Sequence, residues 1–148
     1  MLIGSVNHGV DAKGRIFIPA KWRKDLGTTV IVTHGILGRE DVRCLFGMSI
    51  EAFKAFGTRF ESAPETDMLL QDFRRVMYQN AAECELDKQG RILLPSQLRL
   101  HADIDQEAVL LGVDTRIEIW NAQALEKQNK NVTQNYGQNL QYLAGKGI

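Results

Sequence analysis

The sequence predicts a β-rich α+β fold in which two similar modules pair about a pseudo-two-fold axis, with helices at the periphery. Three observations predict this fold. A nine-residue motif occurs twice in the 148 residues, short apolar segments surround each copy, and helical patterns lie between the copies and after the second. Because a solenoid needs about three or more repeats to bury a continuous core, two copies favour a paired arrangement.

The repeated motif is the strongest signal in the chain. Residues 11–19 read Asp-Ala-Lys-Gly-Arg-Ile-Phe-Ile-Pro and residues 87–95 read Asp-Lys-Gln-Gly-Arg-Ile-Leu-Leu-Pro, so five of nine positions are identical. The same offset of 76 residues relates Arg23 to Arg99. The apolar segments that follow each motif also correspond, which extends the similarity over most of the chain.

Each copy of the motif predicts a tight turn between two strands. The aspartate that opens the turn, Asp11 or Asp87, can accept hydrogen bonds from backbone N–H groups two or three residues later. Gly14 and Gly90 supply a positive φ, which other residues avoid. We therefore assign these four residues structural roles in the turns.

The motif and its flanks predict the same order of elements in both copies: a strand, the turn, a second strand, a short helix and two further strands. Segments 3–10 and 82–86 are the strands that enter the turns. The proline after each second strand, Pro19 or Pro95, suits the first turn of a helix. Gly27 is a typical stop for the first of these helices.

Helical material joins the two copies. Ser49 can cap a first helix, and apolar residues at helical spacing predict an amphipathic, core-packing helix from about 65 to 80. The chain is thus expected to consist of a first module, a helical connector and a second module, at 5–51, 52–80 and 81–124.

The C-terminal segment has a polar composition. Asn121 can cap a last helix, but residues 126–148 hold eight Asn or Gln residues and three Gly. Such a composition buries too little apolar surface to fold by itself, so the tail is expected to be disordered.

The overall composition is that of an average soluble globular protein, with 44% hydrophobic and 24% charged residues. No apolar run approaches the roughly 18 residues of a membrane span, and the N-terminal residues lack the pattern of a secretory signal. Cys44 and Cys84 are too far apart for a metal-ligand pair and too few for a disulfide framework. We expect buried, reduced thiols in a cytoplasmic protein without contact to a membrane.

Catalysis is not predicted. His8, His34 and His101 have no spacing that places two of them on one helix face, and the chain lacks the common nucleophile, phosphate-loop and metalloprotease motifs. Accordingly, no catalytic residue, cofactor or metal site is expected.

The charge distribution carries two opposing indications. The 18 basic residues equal the 18 acidic ones, whereas a DNA-binding domain usually carries a basic excess. However, residues 1–24 hold five basic residues and one acidic residue, a net charge of +4, and acid is concentrated in 61–72. A basic face is therefore compatible with a neutral chain.

The doubled D-x-x-G-R motif resembles the SpoVT-AbrB type of DNA-binding module. Two such modules joined by a helical stretch resemble the MraZ family, over residues 1 to about 126. The resemblance implies that the strands of the two modules interleave as swapped hairpins and form a small barrel. It also implies that chains assemble into closed rings, and that the protein represses the division and cell-wall operon in which it is encoded.

The same resemblance assigns DNA contact to the basic residues of the turns, which are Lys13, Arg15 and Arg91 in this chain. The second turn differs from the first, because Gln89 stands where Lys13 does and Lys88 is shifted by one position. All five residues are candidates for DNA binding, and equal use of the two turns stays open.

The chemistry of these residues permits two interpretations. The planar fork of an arginine can pair with guanine or phosphate, and a lysine suits phosphate as a point charge. Alternatively, Arg15 and Arg91 pair with the turn aspartates and only brace the backbone. Lys21 and Arg23 form a secondary basic face, together with Lys24, for which solvation alone is the competing interpretation.

Two functions from different classes remain. The first is a regulator that binds double-stranded promoter DNA with repeated short sites, as a ring associated with the nucleoid. The second is a ring-forming interaction scaffold without specific DNA binding, which the neutral net charge mildly favours. Avidity in a ring would offset the weak attraction of a neutral chain to DNA, since several weak contacts act together.

Overall fold

The computed structural model describes residues 1–36, 41–62 and 64–148. The strands in these ranges are β1 (Leu2–Gly9), β2 (Arg15–Phe17), β3 (Thr29–His34), β4 (Leu45–Met48), β5 (Ala82–Glu85), β6 (Arg91–Leu93), β7 (Glu107–Asp114) and β8 (Arg116–Trp120). The helices are α1 (Ala20–Leu26), α2 (Ile50–Gly57), α3 (Met68–Gln79), α4 (Ser96–His101), α5 (Ala122–Gln134) and α6 (Tyr136–Gly145), with a 3-10 turn at Thr58–Phe60. The fold is β-rich α+β, as predicted.

The strands form two antiparallel sheets. Six of them pair in the order β1-β7-β8-β4-β3-β5, and β2 pairs with β6 in a separate two-stranded ribbon. The expectation of a closed barrel is wrong, because within the described residues β1 and β5 are edge strands of an open sheet. The turns redirect the chain after β1 and after β5, so the short strands that follow pair with each other instead of closing the sheet.

The main core lies between the open sheet and the ribbon. Ile16 and Ile92, which are partners in the ribbon, are both fully buried. Trp22 of α1 and Leu98 of α4 pack in the same cluster, as do apolar residues of the central strands. Both repeats therefore contribute to one core, and burial of this apolar surface holds the ribbon on the sheet.

A smaller apolar cluster lies on the sheet with α2 and α5. Its buried members include Phe46 and Trp120, and Phe53 of α2 and Leu125 of α5 pack against it. Cys44 belongs to this cluster and Cys84 to the main core, and both are buried and free. Burial raises the pKa of both thiols, that of Cys84 to about 11. The predicted burial of both cysteines is confirmed.

The helix caps agree with the sequence. The Ser49 hydroxyl accepts a hydrogen bond from the Ala52 N–H at 3.0 Å, and the Asn121 side chain accepts one from the Ala124 N–H at 2.9 Å. The predicted amphipathic helix is α3, which begins at Met68. Asp67 caps it by accepting a bond from Leu70 N–H at 3.1 Å.

Two expectations about helices were wrong. The apolar face of α3 does not pack wholly on the core, since Met77 is its one buried residue. The tail from 126 onward is helical rather than disordered: α5 continues to Gln134, and α6 follows. The Asn121 cap and the packing of Leu125 anchor α5. Composition alone does not predict these contacts. No helix of the described residues is long and apolar enough to cross a membrane.

Candidate nucleic-acid interface

The first D-x-x-G-R turn is organised around one carboxylate. Asp11 Oδ1 accepts hydrogen bonds from the N–H groups of Lys13 and Arg15, both at 2.9 Å. Asp11 Oδ2 accepts a bond from Arg15 Nε at 2.6 Å. Gly14 has a φ of +87°, and its N–H donates to the Asp11 carbonyl at 2.9 Å. The structural roles predicted for Asp11 and Gly14 match this geometry.

The second turn repeats the arrangement. Asp87 Oδ1 accepts from the N–H groups of Gln89 at 2.9 Å and Arg91 at 3.0 Å, and Oδ2 accepts from Arg91 Nε at 2.8 Å. Gly90 has a φ of +80° and donates to the Asp87 carbonyl at 3.0 Å. Two turns with different sequences therefore hold their arginines in the same way.

Both turn carboxylates are held in the ionised form. Hydrogen bonds from the Arg15 N–H, the Arg15 side chain and the Lys13 N–H lower the pKa of Asp11 to about 2. The corresponding bonds from Arg91 and Gln89 lower the pKa of Asp87. The turns consequently keep their charge pairs over the whole neutral and mildly acidic range.

Each arginine braces its turn with only part of its guanidinium. Arg15 uses Nε for the carboxylate, and its Nη atoms make no hydrogen bond within the described part of the chain. Arg91 likewise uses Nε, while its Nη1 lies 3.9 Å from Asp11 Oδ2, so it also approaches the other turn. The turn carboxylates therefore fix the Nε edge of each guanidinium.

The ribbon joins the two turns into one surface. Its register pairs Arg15 with Leu93 and Phe17 with Arg91. Because side chains alternate along a strand, these four lie on the outer face, opposite buried Ile16 and its partner. Phe17 is 42% exposed and Leu93 is 53% exposed, and the Arg91 guanidinium lies 5.9 Å from the Phe17 ring centroid. The outer face thus combines two cations with two apolar side chains.

Each turn is also supported by an arginine from the other repeat. Arg23 Nε donates to the Ile18 carbonyl at 2.9 Å, and its guanidinium lies against Gly90. Arg99 Nε donates to the Leu94 carbonyl at 3.1 Å, and its guanidinium lies against Gly14. A side chain at either glycine would have to displace the arginine, and the positive φ by itself favours glycine at both positions.

The remaining candidates lie around this surface. Lys13, Lys88 and Gln89 are exposed at the tips of the turns. Lys21 is exposed on α1, with its ammonium 5.5 Å from the Trp22 ring centroid. Arg23 is half-buried, engaged with the opposite turn as described above.

Sequence reasoning missed three residues of this site. Phe17 and Leu93 are motif positions to which the sequence assigned no role, and the burial of Ile16 and Ile92 beside them places them on the outer face. Arg99 was noted only as a repeat of Arg23. Its crossing to the other turn was not foreseeable, because the partner lies 85 residues away along the chain.

Comparison with known proteins decides the family. The profile of the MraZ protein family, described as antitoxin-like, matches residues 1–75 and 77–139. This chain belongs to the MraZ family. A relative from Alkaliphilus oremlandii, named transcriptional regulator MraZ, is 40% identical over 148 residues, covering 100% of both chains. The predicted resemblance to the MraZ family is thereby confirmed.

Other MraZ relatives agree. Proteins of the same name from Thermoanaerobacter sp. (strain X514) and Limosilactobacillus reuteri (strain DSM 20016) are 38% and 39% identical. The first match covers 97% of this chain and 96% of the relative, and the second covers 92% of each. The family is one of transcription regulators rather than enzymes. The match to the solution structure of PHS018 from Pyrococcus horikoshii covers 80% of this chain and 88% of that protein, at 16% identity and a TM-score of 0.35.

Proposed function

We propose that this MraZ-family chain is a sequence-specific DNA-binding transcription regulator that represses the division and cell-wall operon in which it is encoded. The names of its relatives support a function in the regulation of transcription. The observation that carries the DNA contact is the outer face of the β2–β6 ribbon, where Arg15 and Arg91 are held by carboxylates with Nη edges left to bind a ligand.

The ribbon and its turns enter the major groove in this proposal. That groove admits a two-stranded β-ribbon, and the arginine fork pairs bidentately with guanine or with phosphate. Lys13 and Lys88 at the turn tips neutralise phosphates, and Gln89 offers an amide to a base edge. Phe17 and Leu93 supply the apolar contacts that a thymine methyl group accepts.

Reciprocal contacts support a pseudo-two-fold pair of AbrB-like modules with interleaved hairpins. Ile16 pairs with Ile92 at the centre of the ribbon. The Ile18 N–H donates to the Gly90 carbonyl and the Leu94 N–H donates to the Gly14 carbonyl, both at 2.9 Å. We take 5–51 and 81–124 as the modules and 52–80 as their connector.

Assembly compensates for the modest charge of a single site. Lys13, Arg15, Lys88 and Arg91 against Asp11 and Asp87 give a net charge of only +2 (4 − 2). A closed ring presents several ribbons on one face, so that binding of one ribbon raises the effective concentration of the next. We propose that such a ring binds tandem copies of a short promoter site in the cytoplasm, on the nucleoid.

A mobility-shift assay with the DNA upstream of the chain's own gene tests the proposal. The control is the same fragment with its repeated elements scrambled, at equal salt. Specific recognition predicts at least about 10³-fold tighter binding to the native fragment. Equal affinity for both fragments would refute specificity. Absence of binding, together with no retention on heparin at low salt, would favour the scaffold alternative.

A further inference from the structure

Two histidines form a contact that the proposed DNA site does not use. His34 is the last residue of β3 and His101 is the last residue of α4. Their imidazole rings stack with the centroids 3.5 Å apart and the planes 3° from parallel, and both residues are half-buried. The stack joins a strand of the module 5–51 to a helix of the module 81–124.

The stack is not arranged as a metal site. An imidazole nitrogen binds a metal ion in the plane of its own ring, so two stacked, parallel rings cannot both point their lone pairs at one ion. Within the described residues, no group of three or more His, Cys, Asp or Glu side chains could hold a metal ion. The chemistry left to the pair is the binding of protons.

The surroundings of the stack disfavour a positive charge on either ring. Burial lowers the pKa of His34 to about 4, and the charges of His101 and Arg43 act in the same direction. Burial and Arg43 also lower the pKa of His101. The C-terminal end of a helix favours a cation, but α4 has only six residues, and burial together with Arg43 outweighs this effect.

The other ionisable groups on the neighbouring elements form no ion pair with either ring in the described part of the chain. Arg99 on α4 bonds the Leu94 carbonyl, and the Cys44 thiol is buried with a raised pKa, which keeps it neutral. A proton on either ring therefore gains no partner that offsets its burial. The remaining groups are all exposed: Glu83 on β5, Tyr78 on α3, Asp103 after α4 and Asp41 before Arg43.

The helix that carries His101 also supports the first D-x-x-G-R turn. The guanidinium of Arg99, on the same helix, lies against Gly14. Leu98 is the one buried residue of α4, and a helix this short depends on its tertiary contacts. At the repeat offset of 76 residues, Asp25 of α1 stands where His101 does, so the helix that supports the second turn has no such ring. Loosening of the stack is therefore expected to act on the first turn.

We propose that the stack of His34 on His101 is an acid-sensitive contact between the two modules. Near neutral pH the uncharged rings hold the end of α4 on β3. Protonation separates the rings, because two imidazolium ions beside Arg43 repel one another. The opening is local: it releases α4 and the turn that Arg99 supports, and leaves the turn that Arg23 supports in place.

The pH range of the effect follows from the folded and unfolded states. An unfolded histidine has a pKa of about 6.5, whereas that of His34 in the fold is about 4, so the unfolded chain binds more protons between these values. The stability that the stack contributes is complete above pH ~6.5 and is lost as the pH falls toward 4. Asp11 titrates below this range, so the two effects are separable.

Urea unfolding of the full chain at about pH 7.5 and about pH 5 tests the proposal. The ratio of folded to unfolded wild type is expected to fall about tenfold at the lower pH. The double variant His34→Phe/His101→Phe keeps two aromatic rings that cannot be protonated, and its ratio should fall by no more than about twofold. His8→Gln removes the third histidine and is the matched control, which should lose as much as the wild type.

Hydrogen exchange in the wild type locates the opening without any variant. After correction for the intrinsic exchange rates, protection should fall about tenfold at about pH 5 in residues 96–101 and at the Arg15 N–H. The Arg91 N–H, which has the same type of bond in the second turn, should keep its protection, as should residues 20–26.

Three results would overturn the proposal. A wild type that loses no stability at the lower pH has no acid-sensitive contact. Equal losses in the wild type and the double variant place the acid sensitivity outside the stack. Equal loss of protection at Arg15 and Arg91 excludes the selective release of α4, and this measurement decides the matter if the double variant fails to fold. Since DNA is absent throughout, DNA recognition is tested separately.

Discussion

The guanidinium of Arg99 lies against Gly14, 76 residues before Gly90, which Arg23 covers in the same way. A Cβ at Gly14 would lie 2.7 Å from Arg99 Cζ. The turn of each repeat is thus shaped partly by a helix of the other. The two turns, for which we propose DNA contact, are consequently expected to depend on both repeats for their structure.

Substitution of Gly14 tests this dependence. Gly14→Ala should destabilise the fold by about 1–3 kcal/mol through its positive φ, and further by displacing Arg99 from the Leu94 carbonyl. In the double variant Gly14→Ala/Arg99→Ala the two effects should be less than additive by about 0.5–3 kcal/mol in urea unfolding. Gly27 is the control, because it has a φ of +79° but nothing within 4 Å of an added Cβ. Additive effects at Gly14 as well as at Gly27 would contradict the packing explanation.

Replacement of Arg15 separates DNA contact from bracing. Arg15→Ala should weaken binding to the native promoter fragment by ~1–3 kcal/mol per bound turn, and by more in a ring where several turns act together. Melting temperature should change little, because the Arg15 side chain is partly exposed and the backbone bonds to Asp11 remain. Lys54→Ala removes an exposed charge on α2, outside both turns and the ribbon, and should leave binding unchanged. A lower melting temperature with unaltered affinity would instead support bracing alone.

Arg91→Ala should act in the same direction as Arg15→Ala. Arg91 approaches both turn carboxylates and lies over Phe17, so its loss also disturbs the apolar part of the outer face. Fluorescence anisotropy across a salt series should show a smaller slope of affinity against salt, by about one per turn, if the contact is to phosphate. An unchanged slope with lost discrimination between native and scrambled DNA would indicate a base contact.

The low pKa of Asp11 predicts a pH-dependent contribution to stability. Its value of about 2 lies below the ~3.9 of an unfolded aspartate, so the stabilisation is complete above pH ~4 and is lost as the pH falls toward 2. The difference in melting temperature between the wild type and Asp11→Asn should therefore be constant near neutrality and shrink between about pH 4 and pH 2. A difference that stays constant throughout this range would show that the carboxylate charge does not stabilise the turn.

Local chemistry accounts for what the sequence determined by itself. The repeated motif specified two turns opened by Asp11 and Asp87, with Gly14 and Gly90 at positive φ, because Asx hydrogen bonds and the freedom of glycine act over a few residues. The helix caps at Ser49 and Asn121 follow for the same reason. These interactions join residues that are close in the chain, so they can be predicted from the sequence without knowledge of the fold.

Tertiary structure alone decided the relationships that join distant residues. Pairing of β2 with β6 leaves the sheet open and brings Arg15, Phe17 and Arg91 onto one surface. The crossing of Arg23 and Arg99, the packing of Leu125 at the start of α5, and the exposure of Phe73 on α3 likewise depend on which surfaces meet. Burial is a property of the assembled chain, because apolar residues at helical spacing have the same pattern whether the fold covers them or leaves them for a partner.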